Sequence, residues 1–122
     1  MIELTYDQAR KLVEAQIEAE GADYVYPSRE VEGQKGRCQY FRDGEPSCIV
    51  GRVLAEVGVT EDQIGYNDMA ENVLKKLQYE GVLIAEPKAK LFLQYIQRRQ
   101  DNAIPWGEAY AMALEEAEAV FG

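Results

Sequence analysis

Histidine is missing from all 122 residues. That absence excludes Ser-His-Asp and Cys-His nucleophile arrangements, zinc sites of the His-Glu-x-x-His type, and the commonest general base near neutral pH. No run approaches the ~20 apolar residues that span a bilayer, and no signal peptide precedes the first helical pattern. The expectation is a cytoplasmic chain with no membrane partner. Basic residues are scarce, 13 against 22 acidic ones, for a net charge of −9. Phosphate backbones demand a local excess of Lys and Arg, so nucleic acid is a poor partner. The acidity suits solubility, and it also permits an acidic surface that competes with DNA for a basic protein. Cysteine is limited to Cys38 and Cys48. Facing each other across a turn, these could pair in an oxidising compartment, but a cytoplasmic setting favours thiols. Two sulfurs fall short of the four ligands of structural zinc. No phosphate-cradling loop or dinucleotide fingerprint appears, so neither metal nor cofactor is expected.

What is present centres on Arg37 to Gly58, RCQYFRDGEPSCIVGRVLAEVG. Cys38 to Phe41 alternate and are rich in β-favouring side chains, which predicts a short strand. Arg42-Asp43-Gly44-Glu45 supplies turn chemistry, and Pro46 stops the strand. Ser47 is placed to cap a helix whose Ile49, Val50, Val53, Leu54 and Val57 share one apolar face. Gly51 in mid-helix costs about 1 kcal/mol against Ala, which implies close approach of another backbone. Gly58 ends the helix.

The pattern C-x-Y-x-x-x-G-x-P-x-C-x-V-G, carried by Cys38, Tyr40, Gly44, Pro46, Cys48, Val50 and Gly51, resembles a group of small proteins of actinobacterial phages, mycobacteriophages among them. Gln100-Asp101 and Pro105-Trp106-Gly107-Glu108-Ala109 are similar to that group's C-terminal signature. The resemblance implies a viral setting inside a host cell and assigns no activity.

In chain order, Thr5 caps a helix running to about Glu20, with Ala9, Leu12, Val13 and Ile17 on its inner face. Ala22 to Tyr26 reads as a strand, paired antiparallel with Arg37 to Phe41. The polar connection from Pro27 to Gly36 reads as a mobile loop. Thr60 to Ile64 reads as one helical turn. Asn67 caps a helix from Asp68 to about Glu80, and Val82-Leu83-Ile84 reads as an extended link, with a third small strand as the alternative. Pro87 suits the first position of a helix to about Gln100. The last helix begins near Pro105, with an apolar face that runs through Ala109, Ala113 and Ala117 to Val120 and Phe121. The sum is a single α+β domain, about five helices around a small antiparallel hairpin.

Candidate chemistry is sparse. Cys48 would sit in a helix's first turn, where amides lower a thiol pKa, making it a better candidate than Cys38 for the nucleophile of a thiol-dependent enzyme or redox protein. With no histidine to activate it, the plainer reading is a small buried side chain. Tyr24, Tyr26 and Tyr40 crowd the expected hairpin and could form a flat aromatic contact surface. Arg42, Asp43 and Glu45 would stand at its tip. Trp106 is either a partner anchor or a core residue closing the domain. Gln97 to Asp101 is the densest basic spot, and its cations complement a helix C-terminus. The function expected from these features is accessory: binding a host or phage protein in the cytoplasm. Self-association through the last helix, giving a homodimer, is a further reading.

Overall fold

Helix-starting signals account for much of the architecture. The Thr5 hydroxyl accepts from the Gln8 amide while Gln8 Oε1 accepts from the Thr5 amide, a capping box that opens α1 (Tyr6–Glu20). Thr60 and Gln63 repeat the device at the short α3 (Glu61–Ile64). Helices α2 (Ile49–Glu56), α4 (Ala70–Tyr79), α5 (Pro87–Asp101) and α6 (Trp106–Phe121) complete the set, with Pro87 at the start of α5 as expected. The computed structural model describes residues 1–27 and 39–122. Over those residues the chain is an α+β unit of six helices and two small two-stranded ribbons.

One ribbon is antiparallel. In it β2 (Phe41–Arg42) pairs with β3 (Glu45–Pro46), Phe41 opposite Pro46 and Arg42 opposite Glu45. Asp43 and Gly44 connect them with φ of 53° and 80°. Two successive left-handed residues make the tight hairpin turn whose twist matches its strands, and Asp-Gly is among the pairs that tolerate it best. The expected partner strand, Ala22 to Tyr26, does not form, and Arg37 and Cys38 lie outside the described residues, as does most of the expected loop from Pro27 to Gly36. Ala22 to Tyr26 has another task. The Ala22 and Tyr24 carbonyls accept from the amides of Gly107 and Trp106, both at 2.9 Å. Helix α6 has no side-chain cap of its own, so this segment satisfies amides that would otherwise be orphaned. A Cβ on Gly107 would lie 2.7 Å from that of Ala22, and the glycine is what lets the two backbones meet.

The second ribbon is parallel, and its N-terminal partner strand is one that the sequence pattern does not signal. β1 (Ile2–Leu4) runs beside β4 (Leu83–Ala85), Ile2 opposite Leu83 and Leu4 opposite Ala85. Three-residue strands are too short for alternation to register in the sequence. The stretch expected to be an extended link is therefore a strand, with Leu4, Leu83 and Ala85 buried in the core.

Two helix starts also differ from expectation. Helix α2 begins at Ile49 with Cys48, not Ser47, as its cap. Helix α4 begins at Ala70, and Asn67 instead accepts from the Tyr40 amide at 3.2 Å. The reading of Gly51 holds: a Cβ there would stand 2.2 Å from the Tyr40 carbonyl oxygen, so Tyr40 lies directly on α2.

Helix α5 is the central element and packs on α1, α2, α4 and α6. Ala109, Ala113 and Ala117 recur every fourth residue on α6, are fully buried, and let that helix lie close to its neighbour. Beyond Ala117 the stripe ends, for Val120 and Phe121 are exposed rather than buried. Two glutamines complete the α5 face. Gln100 Oε1 accepts from the Ile49 amide at 2.9 Å and from the Trp106 indole at 3.2 Å. Gln97 Oε1 accepts from the Ala70 amide at 2.5 Å, while its Nε2 donates to the Tyr40 hydroxyl at 2.8 Å, which in turn donates to the Asp68 carbonyl. One helix face thus caps two others.

Replacing Gln100 by Leu leaves two buried donors without an acceptor, each worth about 1–3 kcal/mol. Urea unfolding of Gln100→Leu should show a loss of about 2–4 kcal/mol, and a loss well under 1 kcal/mol would mean that those donors find other partners.

Candidate functional site

The residues expected to form a contact surface divide into a buried scaffold and an exposed tip. Tyr26, Tyr40 and Trp106 are 3%, 1% and 0% exposed. All three are core residues, so the flat aromatic surface and the tryptophan anchor are corrected: without the expected long hairpin, their rings turn inward. The Tyr26 hydroxyl hydrogen-bonds Ser47 Oγ at 2.5 Å. Trp106 meets the Tyr24 ring edge-on at 4.7 Å, and the Arg52 guanidinium lies 4.9 Å from its centroid. Arg52 is itself fixed by the Ser47 carbonyl at 2.8 Å and by Glu20 at 2.7 Å. Tyr24 is half-buried at this edge.

Asp43 and Glu45 are exposed, at the end of a turn held by this scaffold. Arg42 is partly exposed, and its Nε donates to Gln39 Oε1 at 2.7 Å while its guanidinium sits 5.8 Å from the Tyr26 centroid. Val25 is an exposed apolar side chain in the segment leading to Tyr26. Beside the tip a pocket of about 100 Å³ is bordered by Phe41, Glu61, Tyr66 and Asn67.

Cys48 is fully buried and disulfide-bonded, and its sulfur accepts from the Gly51 amide at 3.4 Å. The free thiol and the nucleophile read from the sequence are therefore corrected. Cys38, the chain's other cysteine, lies outside the described residues.

A second surface was missed by the sequence reading. Helices α4 and α5 enclose a groove of about 540 Å³ lined by Glu71, Lys75, Gln78, Tyr79, Lys90 and Gln94. Past Glu71 and Gln94 it runs on into a smaller pocket of about 120 Å³ that reaches Met69 and Arg98. Lys75 and Tyr79 on α4, and Lys90 and Gln94 on α5, are each four residues apart, so each pair shares a helix side. That spacing was the available signal. Other cations nearby are already engaged. Lys76 donates to the Gln63 and Ile64 carbonyls, Lys88 pairs with Glu118 at 2.9 Å, and Arg99 pairs with Glu116. Lys75, Lys90 and Arg98 have no carboxylate partner among the described residues.

Among the described residues no group of His, Cys, Asp and Glu could hold a metal ion, and no helix is long and apolar enough to cross a membrane. The chain matches no family model, no curated protein and no solved structure.

Three tyrosines record how tightly this frame is closed. Burial pushes Tyr6 up to about 12, helped by the Glu118 carboxylate that accepts a hydrogen bond from its hydroxyl. Burial likewise raises Tyr40, and burial together with the Glu14 carboxylate raises Tyr110. The Lys88 ammonium and the Tyr6 hydroxyl in turn hold Glu118 below the ordinary carboxylate range. A phenol whose folded pKa exceeds its unfolded value of about 10 stabilises the fold below pH 10. Above that, the unfolded chain releases the proton first, so stability falls as pH rises towards the folded value. Unfolding free energy should thus decline between about pH 10 and 12, and a flat profile would contradict the shift. Thiol chemistry gives an independent check. The native, unreduced protein should show no thiol towards Ellman's reagent, and reduction should cost about 2–4 kcal/mol; two freely titrating thiols would contradict the bonded Cys48.

Proposed function

We propose that this protein works by binding another protein, with the Asp43 to Glu45 turn as part of the contact surface. The observation that carries the reading is the contrast between tip and base. Two exposed carboxylates and a glycine project from a turn whose supports, Tyr26, Tyr40, Ser47 and Cys48, are all buried. A loop held by a rigid base loses little freedom on binding, and preorganisation of this kind is how small surfaces gain affinity. The partner's matching surface is basic, because Asp43 and Glu45 are unpaired carboxylates among the described residues and the chain as a whole carries −9. Complementary charge speeds encounter and fixes register. On the resemblance to proteins of actinobacterial phages, that partner is a host or phage protein.

The test is affinity capture by the tagged chain from an actinobacterial lysate, with mass spectrometry of the eluate over a salt series. One predominant protein should be retained, and the double charge reversal Asp43→Lys/Glu45→Lys should lower its recovery at least about tenfold. Recovery unchanged by that reversal, with helical circular dichroism intact, would remove the turn from the contact surface.

A further inference from the structure

Charge is segregated over the fold. Helix α1 carries Asp7, Glu14, Glu18 and Glu20 against Arg10 and Lys11, and α6 carries Glu108, Glu115, Glu116 and Glu118 with no cation. Helices α4 and α5 reverse the balance, with Lys75, Lys76, Lys88, Lys90, Arg98 and Arg99 against Glu71 and Asp101. Two surfaces of opposite sign stand exposed within one copy. The first is the α4–α5 groove, where Lys75 and Lys90 line a wall beside Tyr79, which is 92% exposed. The second is the last stretch of α6, where the exposed Glu115 and Glu118, the latter with Oε1 already held by Lys88 and Tyr6, stand near Val120 and Phe121, exposed at 61% and 47%. Each holds what the other lacks: cations beside an uncovered phenol in one, carboxylates beside uncovered apolar side chains in the other.

Their placement is equally informative. Lys88, in the first turn of α5, pairs with Glu118 of α6. Lys90, two residues on, turns to the opposite side of α5, where it donates to Gln78 at 3.0 Å and lines the groove. The α6 end and the basic wall therefore flank α5 at the same level along its axis.

We propose that a second copy of this chain docks on this face, the C-terminal turn of its α6 entering the α4–α5 groove, and that the contact is exchanged about a two-fold axis. Equal height along α5 is the condition for such exchange, because a two-fold axis parallel to that helix sets each patch opposite its complement. An interface in which each patch meets its complement twice closes on itself and gives a dimer, not a filament. Phe121 packs on Tyr79, while Glu115 and Glu118 face Lys75 and Lys90. Two close helix ends add buried apolar area that charge alone does not supply. The surface is separate from the Asp43 to Glu45 turn, so the dimer stands or falls independently of that reading.

The test is analytical ultracentrifugation of the 122-residue chain from micromolar to millimolar concentration. The expected result is a species of twice the 13.8 kDa chain mass, weakening as salt screens the charges. Lys75→Glu/Lys90→Glu and Glu115→Lys/Glu118→Lys should each be monomeric alone, since each sets like charges together. Mixed one to one they should dimerise again, because both contacts of the mixed pair are then matched in reversed or native sense. Phe121→Ser, which leaves every charge and the Lys88 pair in place, should raise the dissociation constant at least about tenfold. A monomer throughout the range overturns the proposal. So does a dimer that ignores salt and both reversals, or a pair of variants that fails to recombine while each keeps its native circular dichroism. Saturable binding of a fluorescent single-stranded oligonucleotide by a monomer, lost in Lys75→Glu/Lys90→Glu, would overturn it in favour of a nucleic-acid groove.

Discussion

The fold depends on two amide side chains that leave no room for adjustment. Gln97 and Gln100 occupy one face of α5, among Phe92, Leu93 and Ile96, and there they accept the first amides of α4 and α2. A buried acceptor shared by separate helices costs little while every partner is in place and a great deal when one is not. Each glutamine therefore fixes a helix start to α5 with a tolerance set by hydrogen-bond length, about 3 Å, and not by the softer fit of apolar surfaces. The same pair orients Trp106 and Tyr40, so the base of the hairpin and the start of α6 inherit that constraint.

This arrangement explains why a surface turn so short is well defined. The carbonyl of Tyr40 accepts from Ser47 and presses on α2 at Gly51, while its hydroxyl joins the Gln97 network. One residue ties the hairpin to two helices by backbone and side chain together. The disulfide at Cys48 and the bond from Gly51 to its sulfur add a second tie at the adjacent position. What reaches solvent is the small remainder, Asp43, Gly44 and Glu45. Elsewhere, α4 and α5 carry the cations and α1 and α6 the carboxylates, an asymmetry that the net charge of −9 conceals.

The sequence made the helices legible because their apolar periods are long and their starts carry Thr, Gln and Pro in the expected places. It made Gly51 legible too, since a glycine in a good helix needs a reason. The errors share one cause. Residues such as Tyr26, Tyr40 and Trp106 have chemistry suited to either core or interface, and only long-range contacts decide between them: the pairing of Ala22 and Tyr24 with the start of α6 beside Trp106, the Ser47 hydroxyl for Tyr26, and α2 with Gln97 for Tyr40. The glutamines were passed over within a segment read as a basic helix end, though both lie on the stripe begun by Ala89, Phe92 and Ile96. Polar side chains on an apolar stripe were the visible clue. The groove escaped because its two walls come from helices separated by β4, and periodicity within one helix says nothing about its neighbour.

The parallel ribbon carries a consequence for the order in which the chain can assemble. Ile2 finds its partner only at Leu83, and the first turn of α6 is completed by carbonyls from Ala22 and Tyr24. Residues 2–4 and 22–24 thus wait for partners made well after them. Local helices form fast, but pairing across such separations pays a loop-closure entropy before it returns any contact. As the chain leaves a ribosome, its first strand waits unpaired until α4 and β4 have emerged. The N-terminal strand then acts as a latch, closing over helices that have already met.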